Sequence, residues 1–373
     1  MMVVSRCRLL FCFYHWLHGM ARTFLEHYGV RGALAWLERI DPGGHRRIKG
    51  LRLVTAFGIA AMLGTMSDIA RGLPDGASLG LLAGNFALWA SVSEGRGSRR
   101  ESSRDLVLLS AAAALGAASL VVLAPLLRMI GPAGPELVLV SGAFCVGYLR
   151  RFGLTGAGVG SQIFIGQLLA YSAGLKMSDL ATILAAGAIA AVASVVPRVL
   201  SGPAEHPTAS LPLVAGRGRL PPELVMGLQA AAGALLIVAL NAVVGLLESA
   251  WAITASTYVI AGTASGTIER VKRRIVGTAI GVPLGLALLP LVAGMPILAW
   301  SVAALAMVVY AMGLPGRYDV ACGAYAVTLI VTLAVAGERS WVLLSARAWE
   351  TMLGGALGVG AATVLFPLRG SNV

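Results

Sequence analysis

Apolar residues fall in long unbroken blocks along the chain, without the strict alternation that marks a half-buried strand. A bilayer core about 30 Å thick needs roughly 17–25 apolar residues to be crossed by one helix. Twelve blocks meet or approach that length, at residues 51–70, 77–93, 106–127, 134–149, 154–174, 179–197, 223–246, 250–265, 275–293, 296–313, 319–337 and 348–367. Charges collect between the blocks. In "GTIERVKRRIVGTAIGVPLG", residues 266–285, Arg270, Lys272, Arg273 and Arg274 stand directly before an apolar run carrying Gly277, Gly281 and Gly285. Inside a helix in water each glycine costs about 1 kcal/mol relative to alanine. In lipid, glycines four apart form a smooth stripe that lets a second helix approach closely. The pattern predicts an all-α integral membrane protein with about twelve transmembrane helices.

Composition strengthens that reading. Hydrophobic residues make up 57% of the 373 positions and charged residues 12%, against about 25% charged in soluble domains. The net charge of +12 then reports topology. With twelve spans, 24 of the 29 Lys and Arg residues fall on the side that holds both termini. Arg71, Arg128, Lys176, Arg339 and Arg347 fall on the other. By the positive-inside rule both termini are expected in the cytoplasm.

Residues 201–221, "SGPAEHPTASLPLVAGRGRLP", read as a cytoplasmic linker that divides the helices six and six, into 50–200 and 222–369. The halves resemble one another: Gly153/Gly316 and Gly174/Gly337 are displaced by 163, and Arg104/Arg274 and Pro197/Pro367 by 170. An even number of helices per half predicts two parallel six-helix repeats about a pseudo-twofold along the membrane normal. Residues 1–49 differ. Phe24, Tyr28, Leu34, Leu37 and Ile40 recur at near-helical spacing among charges, as in an interfacial helix. The stretch "LLFCFYHWL" has no small-residue cleavage site after it, so no signal peptide is expected, and Met20 is an alternative start.

Several chemistries are excluded. All five histidines lie in residues 1–45 or in the linker, and Cys7, Cys12, His15 and His18 fit no zinc-ligand spacing, so neither metal nor cofactor is expected. Cys145 and Cys322 fall inside predicted helices, where no disulfide framework is visible. Gly156, Gly158 and Gly160 are not a dinucleotide-binding fingerprint, "GVGSQ" is not a nucleophile elbow, and no phosphate-binding loop exists. No enzyme is expected. The basic residues are scattered between apolar runs without interleaved aromatics, which argues against nucleic acid.

The segment "SAWAITASTYVIAGTASGTIERVKRRIVGTAIGVPLG" resembles the signature region of the fusaric-acid-resistance and aromatic-acid-exporter family. The likeness rests on Trp251, Arg270, Arg274, Gly277, Thr278 and Gly281, and on Arg347, Glu350, Thr351, Gly354 and Pro367 in "RAWETMLGGALGVGAATVLFPLR". It covers about 222–369 well and 51–200 only as a pattern. The resemblance implies an inner-membrane exporter of small organic anions, often aromatic carboxylates, driven by the proton gradient. A more distant similarity to plant aluminium-activated malate transporters implies an anion path between two six-helix halves. Implied partners are the anion, membrane lipid, a periplasmic adaptor protein and a second copy of the chain. The sizeable cytoplasmic domain that larger relatives carry between the halves has no counterpart here.

Ionisable residues at membrane depth are costly, so they mark pathways or proton relays. Asp319, Glu350 and Arg347 are the candidates for proton coupling, while Asp68 and Glu248 lie near block ends and can snorkel. Arg347 and Glu350, three apart, can also neutralise one another, and Asp319 sits beside Arg317 as a boundary pair. Glycine- or proline-interrupted segments at matching places in two repeats point to a substrate site. They are "GLTGAGVGSQ" and "GLPGRYDVACG". Arg150, Arg151 and Arg317 stand at their mouths, with Arg274 completing a basic vestibule. Ser161, Gln162 and Tyr325 are placed to orient a carboxylate, and Tyr258 with Trp251 to stack on a ring. A proton-coupled exporter, a passive anion channel and a membrane subunit without transport of its own all remain open.

Overall fold

The computed structural model describes residues 30–71, 78–95, 97–201, 220–247, 249–261, 263–292, 294–335, 337 and 341–365. Cys7, Cys12, His15, His18, the linker from 202 to 219, Glu248 and Arg339 lie outside them, and of Arg347 only the backbone is described. Two compact units are present, Met1–Arg47 and Ile48–Val373. In the first, helix α1 (Val30–Ile40) leads into a turn at Pro42–Gly44. Asp41 closes that turn by accepting the backbone N–H groups of Arg46 and Arg47 at 3.2 and 2.9 Å. Glu38 accepts from the Gly43 N–H and from Arg47, which together hold its carboxyl below the usual range.

Every apolar block corresponds to a helix. They are α2 (His45–Arg71), α3 (Leu79–Ser93), α4 (Arg99–Leu127), α5 (Leu137–Tyr148), α6 (Gly153–Ser172) and α7 (Leu180–Leu200). After the linker come α8 (Pro222–Val244), α9 (Ser249–Val259), α10 (Ala264–Val292), α11 (Pro296–Gly313), α12 (Tyr318–Val335) and α13 (Trp341–Gly360). Local chemistry sets many of the ends. Ser78 caps α3 by accepting from Leu81 at 3.2 Å, and Ser98 caps α4 by accepting from Glu101 at 3.3 Å. Proline opens α8 and α11, where its missing N–H costs nothing. Gly174 and Gly337, 163 apart, follow α6 and α12 with φ of 61° and 97°, a conformation that glycine adopts without a Cβ penalty.

Eight helical stretches among the described residues are long and apolar enough to cross a membrane, which leaves the expected twelve spans unconfirmed. α5 has 12 residues and α9 has 11. At 1.5 Å per residue they reach only about 16–18 Å, short of a 30 Å core. Short 3-10 turns at Gly134–Glu136 and Leu149–Phe152 bracket α5, so it joins α6 in one stretch, Gly134–Ser172. α3, with 15 residues, is apolar but also short.

Packing depends on small residues, as lipid-immersed helices require. A continuous core runs through the helices from α2 to α9, with Phe86, Leu139, Phe164, Met226 and Ile253 among its buried members and alanines filling the gaps. Helix pairings in the two halves correspond. α4 packs on α6 as α10 packs on α12, α4 on α7 as α10 on α13, α3 on α7 as α9 on α13, and α5 on α6 as α11 on α12. Across the halves, α5 meets α8, and α2 meets α11 through Gly50 on Val308 and Phe57 on Trp300 at 5.8 Å.

Candidate anion-binding site

The glycine stripe of α10 builds the site. A Cβ on Gly277 would collide with the Asp319 carbonyl, and one on Gly281 with the backbone of Gly323. Gly285 faces Ile330. All three partners lie on α12, so α10 and α12 touch backbone to backbone. Arg274, three residues before the stripe, is thereby brought against the first turn of α12, where its Nη1 donates to the Tyr318 hydroxyl at 3.2 Å.

Arg274 is half-buried and its Nε is shut off from solvent without a hydrogen-bond partner. Among the described residues no carboxylate forms an ion pair with it. Around it stand three tyrosines and a thiol: Tyr258, Tyr318, Tyr325 and Cys322 all lie within its electrostatic reach. Tyr325 is the hub. Its ring centroid is 5.4 Å from Trp89, 6.1 Å from Tyr310 and 6.2 Å from Trp251. Tyr258 shares a hydrogen bond of 2.7 Å with Ser161 and meets Phe164 edge-on at 5.8 Å. Trp89, Ser161 and Phe164 come from the first half and the remaining groups from the second, so both halves furnish the cluster. Trp89, Trp251, Tyr258, Tyr310, Tyr318 and Tyr325 each keep part of their surface accessible. Chemically this is a cation with open hydrogen-bonding capacity beside aromatic faces and hydroxyl donors. That suits a carboxylate carried on a ring.

Four of the residues expected at a substrate site, Ser161, Tyr258, Arg274 and Tyr325, are brought together here. Gln162 is next to them but buried, and it serves the fold: its Nε2 donates to the Trp89 carbonyl and to Ser93, both at 2.8 Å. The other cations lie elsewhere. Arg150 is half-buried in the turn before α6, with Arg270 and Glu223 as its charged neighbours. Arg151 is exposed and lies over the rings of Tyr148 and Phe152. Arg317 pairs with both oxygens of Asp319, at 2.9 and 3.1 Å, and that bond raises its pKa. The pair lines an open surface recess of about 420 Å³ together with Glu269, Lys272 and Arg273. Glu350 is completely buried in α13.

Two expectations change. "GLTGAGVGSQ" is not a broken helix. The interruption is the 3-10 turn Leu149–Phe152, after which α6 runs unbroken from Gly153, where φ is 74°. In "GLPGRYDVACG" the break likewise lies in the connection at residues 314–317, before α12 begins at Tyr318. Three site aromatics were not anticipated: Trp89, Tyr310 and Tyr318. Tyr310 and Tyr318 flank the Gly-Leu-Pro-Gly turn of that connection, a position that does not show which way either ring faces. Among the described residues no group of three or more potential metal ligands converges.

Comparison with known proteins bears on the same region. Residues 232–361 match the family model described as fusaric acid resistance protein-like, a segment holding Trp251, Tyr258, Arg274, Tyr310, Tyr318, Tyr325 and Glu350. No curated protein and no solved structure matches the chain. Together with eight stretches able to cross a bilayer, the family match supports a multi-pass membrane protein of the transport and efflux class.

Proposed function

We propose, taking the family match over the second half as premise, that the chain exports small aromatic carboxylate anions across the inner membrane. The observation carrying this reading is Arg274: a half-buried guanidinium, with one nitrogen unpartnered and no acid among the described residues paired to it, among aromatic residues of both halves. A carboxylate would take the guanidinium fork while the ring packs against Tyr325 and the tryptophans. Tyr258 and Ser161, already bonded to one another, would supply the neutral donor.

The two halves act as parallel repeats in this proposal. Its support is the equivalence of helix pairings and of α4 with α10, each 29 residues long and each packed on the helix two places later. The repeat is not symmetric in chemistry. Arg104, the counterpart of Arg274, is exposed, so the site's cation comes from the second half alone. Transport is driven by the proton gradient, with Glu350 as the titrating group. Its complete burial supports that role, whereas Asp319 is engaged by Arg317 at the surface.

Flux of radiolabelled benzoate in proteoliposomes tests the function. The proposal expects protein-dependent flux that an imposed pH gradient accelerates and a protonophore collapses. Flux indifferent to the gradient would make the chain a passive channel. Absence of flux with benzoate and with hydroxylated and heteroaromatic carboxylates would defeat the proposal.

A further inference from the structure

A second basic cluster lies where the ends of α2, α3, α4 and α7 meet. Lys49 of α2 donates through Nζ to the carbonyls of Val92 and Glu94, at 3.0 and 2.5 Å. Arg198, in the last turn of α7, is 2% exposed and donates to Ser102 of α4 at 2.7 Å and to the Gly97 carbonyl at 3.2 Å. Arg52, three residues after Lys49, is 8% exposed, and its Nη2 is buried with no hydrogen-bond partner. The Glu94 side chain, 3% exposed, lies within electrostatic reach of all three cations. Arg99 adds a further positive charge near Arg198. Asp105, a buried carboxylate near the start of α4, accepts from Thr155 of α6 at 3.0 Å.

Among the described residues the balance is therefore three converging cations on one carboxylate, with a buried guanidinium nitrogen left without an acceptor. Such a nitrogen forfeits its hydration unless an acceptor replaces it. A phosphate group offers several charged oxygens and suits a guanidinium fork beside an ammonium. The depth agrees as well. Lys49 and Arg52 stand at the polar start of α2, Arg198 at the end of α7 and Glu94 just past α3, the level at which phospholipid headgroups lie.

We propose that Lys49, Arg52 and Arg198 form a binding site for a phosphate group at the membrane surface, separate from the Arg274 cluster and independent of what is transported. The phosphate is that of an anionic phospholipid or of a soluble phosphorylated ligand. The test uses the full chain purified in a neutral detergent. Its thermal midpoint is followed against added dioleoylphosphatidylglycerol, dioleoylphosphatidylcholine, and inorganic phosphate matched with chloride for ionic strength. Phosphatidylglycerol should stabilise at concentrations at least tenfold lower than phosphatidylcholine, and Arg52→Gln should remove that preference. Stabilisation by inorganic phosphate as well as by the lipid assigns the site to free phosphate groups, and by the lipid alone to a headgroup. Should Arg52→Gln not fold, Arg52→Lys and native mass spectrometry of lipid retained by the wild-type chain give the same decision. Equal response to both lipids with none to phosphate, or an unchanged preference in the Arg52 variants, overturns the proposal.

Discussion

Substituting Gly281 by alanine tests whether backbone contact between α10 and α12 positions Arg274. The new Cβ would lie 2.7 Å from the Gly323 Cα and 2.8 Å from its carbonyl carbon, besides colliding with the carbonyl oxygen. Carbon atoms prefer about 3.5–4.0 Å, so the helices must separate by about 1 Å. The obstacle is backbone, which no rotamer change relieves. Overpacking of this kind costs about 1–3 kcal/mol, and replacing a helical glycine returns about 0.5–1 kcal/mol. A net loss of about 0.5–2 kcal/mol is expected. Gly58 of α2 supplies the control, because nothing lies within 4 Å of its Cβ position, and Gly58→Ala should be neutral or slightly stabilising. Gly285→Ala should fall between, since Ile330 is a side chain that can yield from 3.0 Å. Reversible unfolding in mixed detergent micelles measures all three. If Gly281→Ala were as stable as Gly58→Ala, the close approach of the two helices would be wrong.

Three further outcomes are expected. Glu136 is buried and its Oε1 accepts from Tyr171, Asn241 and Ser249 at 2.6, 2.7 and 2.8 Å, tying both halves together at one end. Glu136→Ala should cost about 3 kcal/mol in the same unfolding assay by stranding these donors, and Glu136→Gln distinctly less. Arg317→Gln should leave both the thermal midpoint and benzoate flux at wild-type values, because Arg317 is 69% exposed and screened by water. In a background lacking native cysteines, single cysteines replacing Gly131 or Arg339 should react with an impermeant maleimide from outside intact cells. Cysteines replacing Ser98 or Ser210 should react only after permeabilisation, and outside labelling of either would refute the orientation.

The fold was legible wherever hydrophobic blocks are long, because lipid leaves the backbone no alternative to the helix. All twelve helices stand where the blocks predict them. Block length misled over α5 and α9, since apolar residues continue past the helix ends into 134–136 and 260–261 and hide the turns there. The glycine stripe was readable because its spacing has one physical use in lipid, and α12 is the helix it receives. At the site, Arg274 and Arg317 looked equivalent in sequence, each a cation at the foot of an apolar run. Only packing separates them: Arg317 has Asp319 two residues away, whereas Arg274 is turned towards aromatics of distant segments. Tyr310 and Tyr318 passed unnoticed for the same reason, since a tyrosine in an apolar helix carries no mark of the direction it faces.

Binding of an aromatic carboxylate to the Arg274 variants decides the central claim. Isothermal titration of benzoate into the purified protein, with benzamide as the uncharged analogue, should show saturable binding of the acid and tenfold or weaker binding of the amide. A charge-assisted hydrogen bond contributes about 1.5–3 kcal/mol, or roughly 10–150-fold in affinity. Arg274→Lys, which keeps the charge but not the planar fork, should lose about tenfold, and Arg274→Gln about a hundredfold, with thermal midpoints at the wild-type value. Wild-type affinity for benzoate in folded Arg274→Gln protein would contradict the account and move the anion site away from the tyrosine cluster.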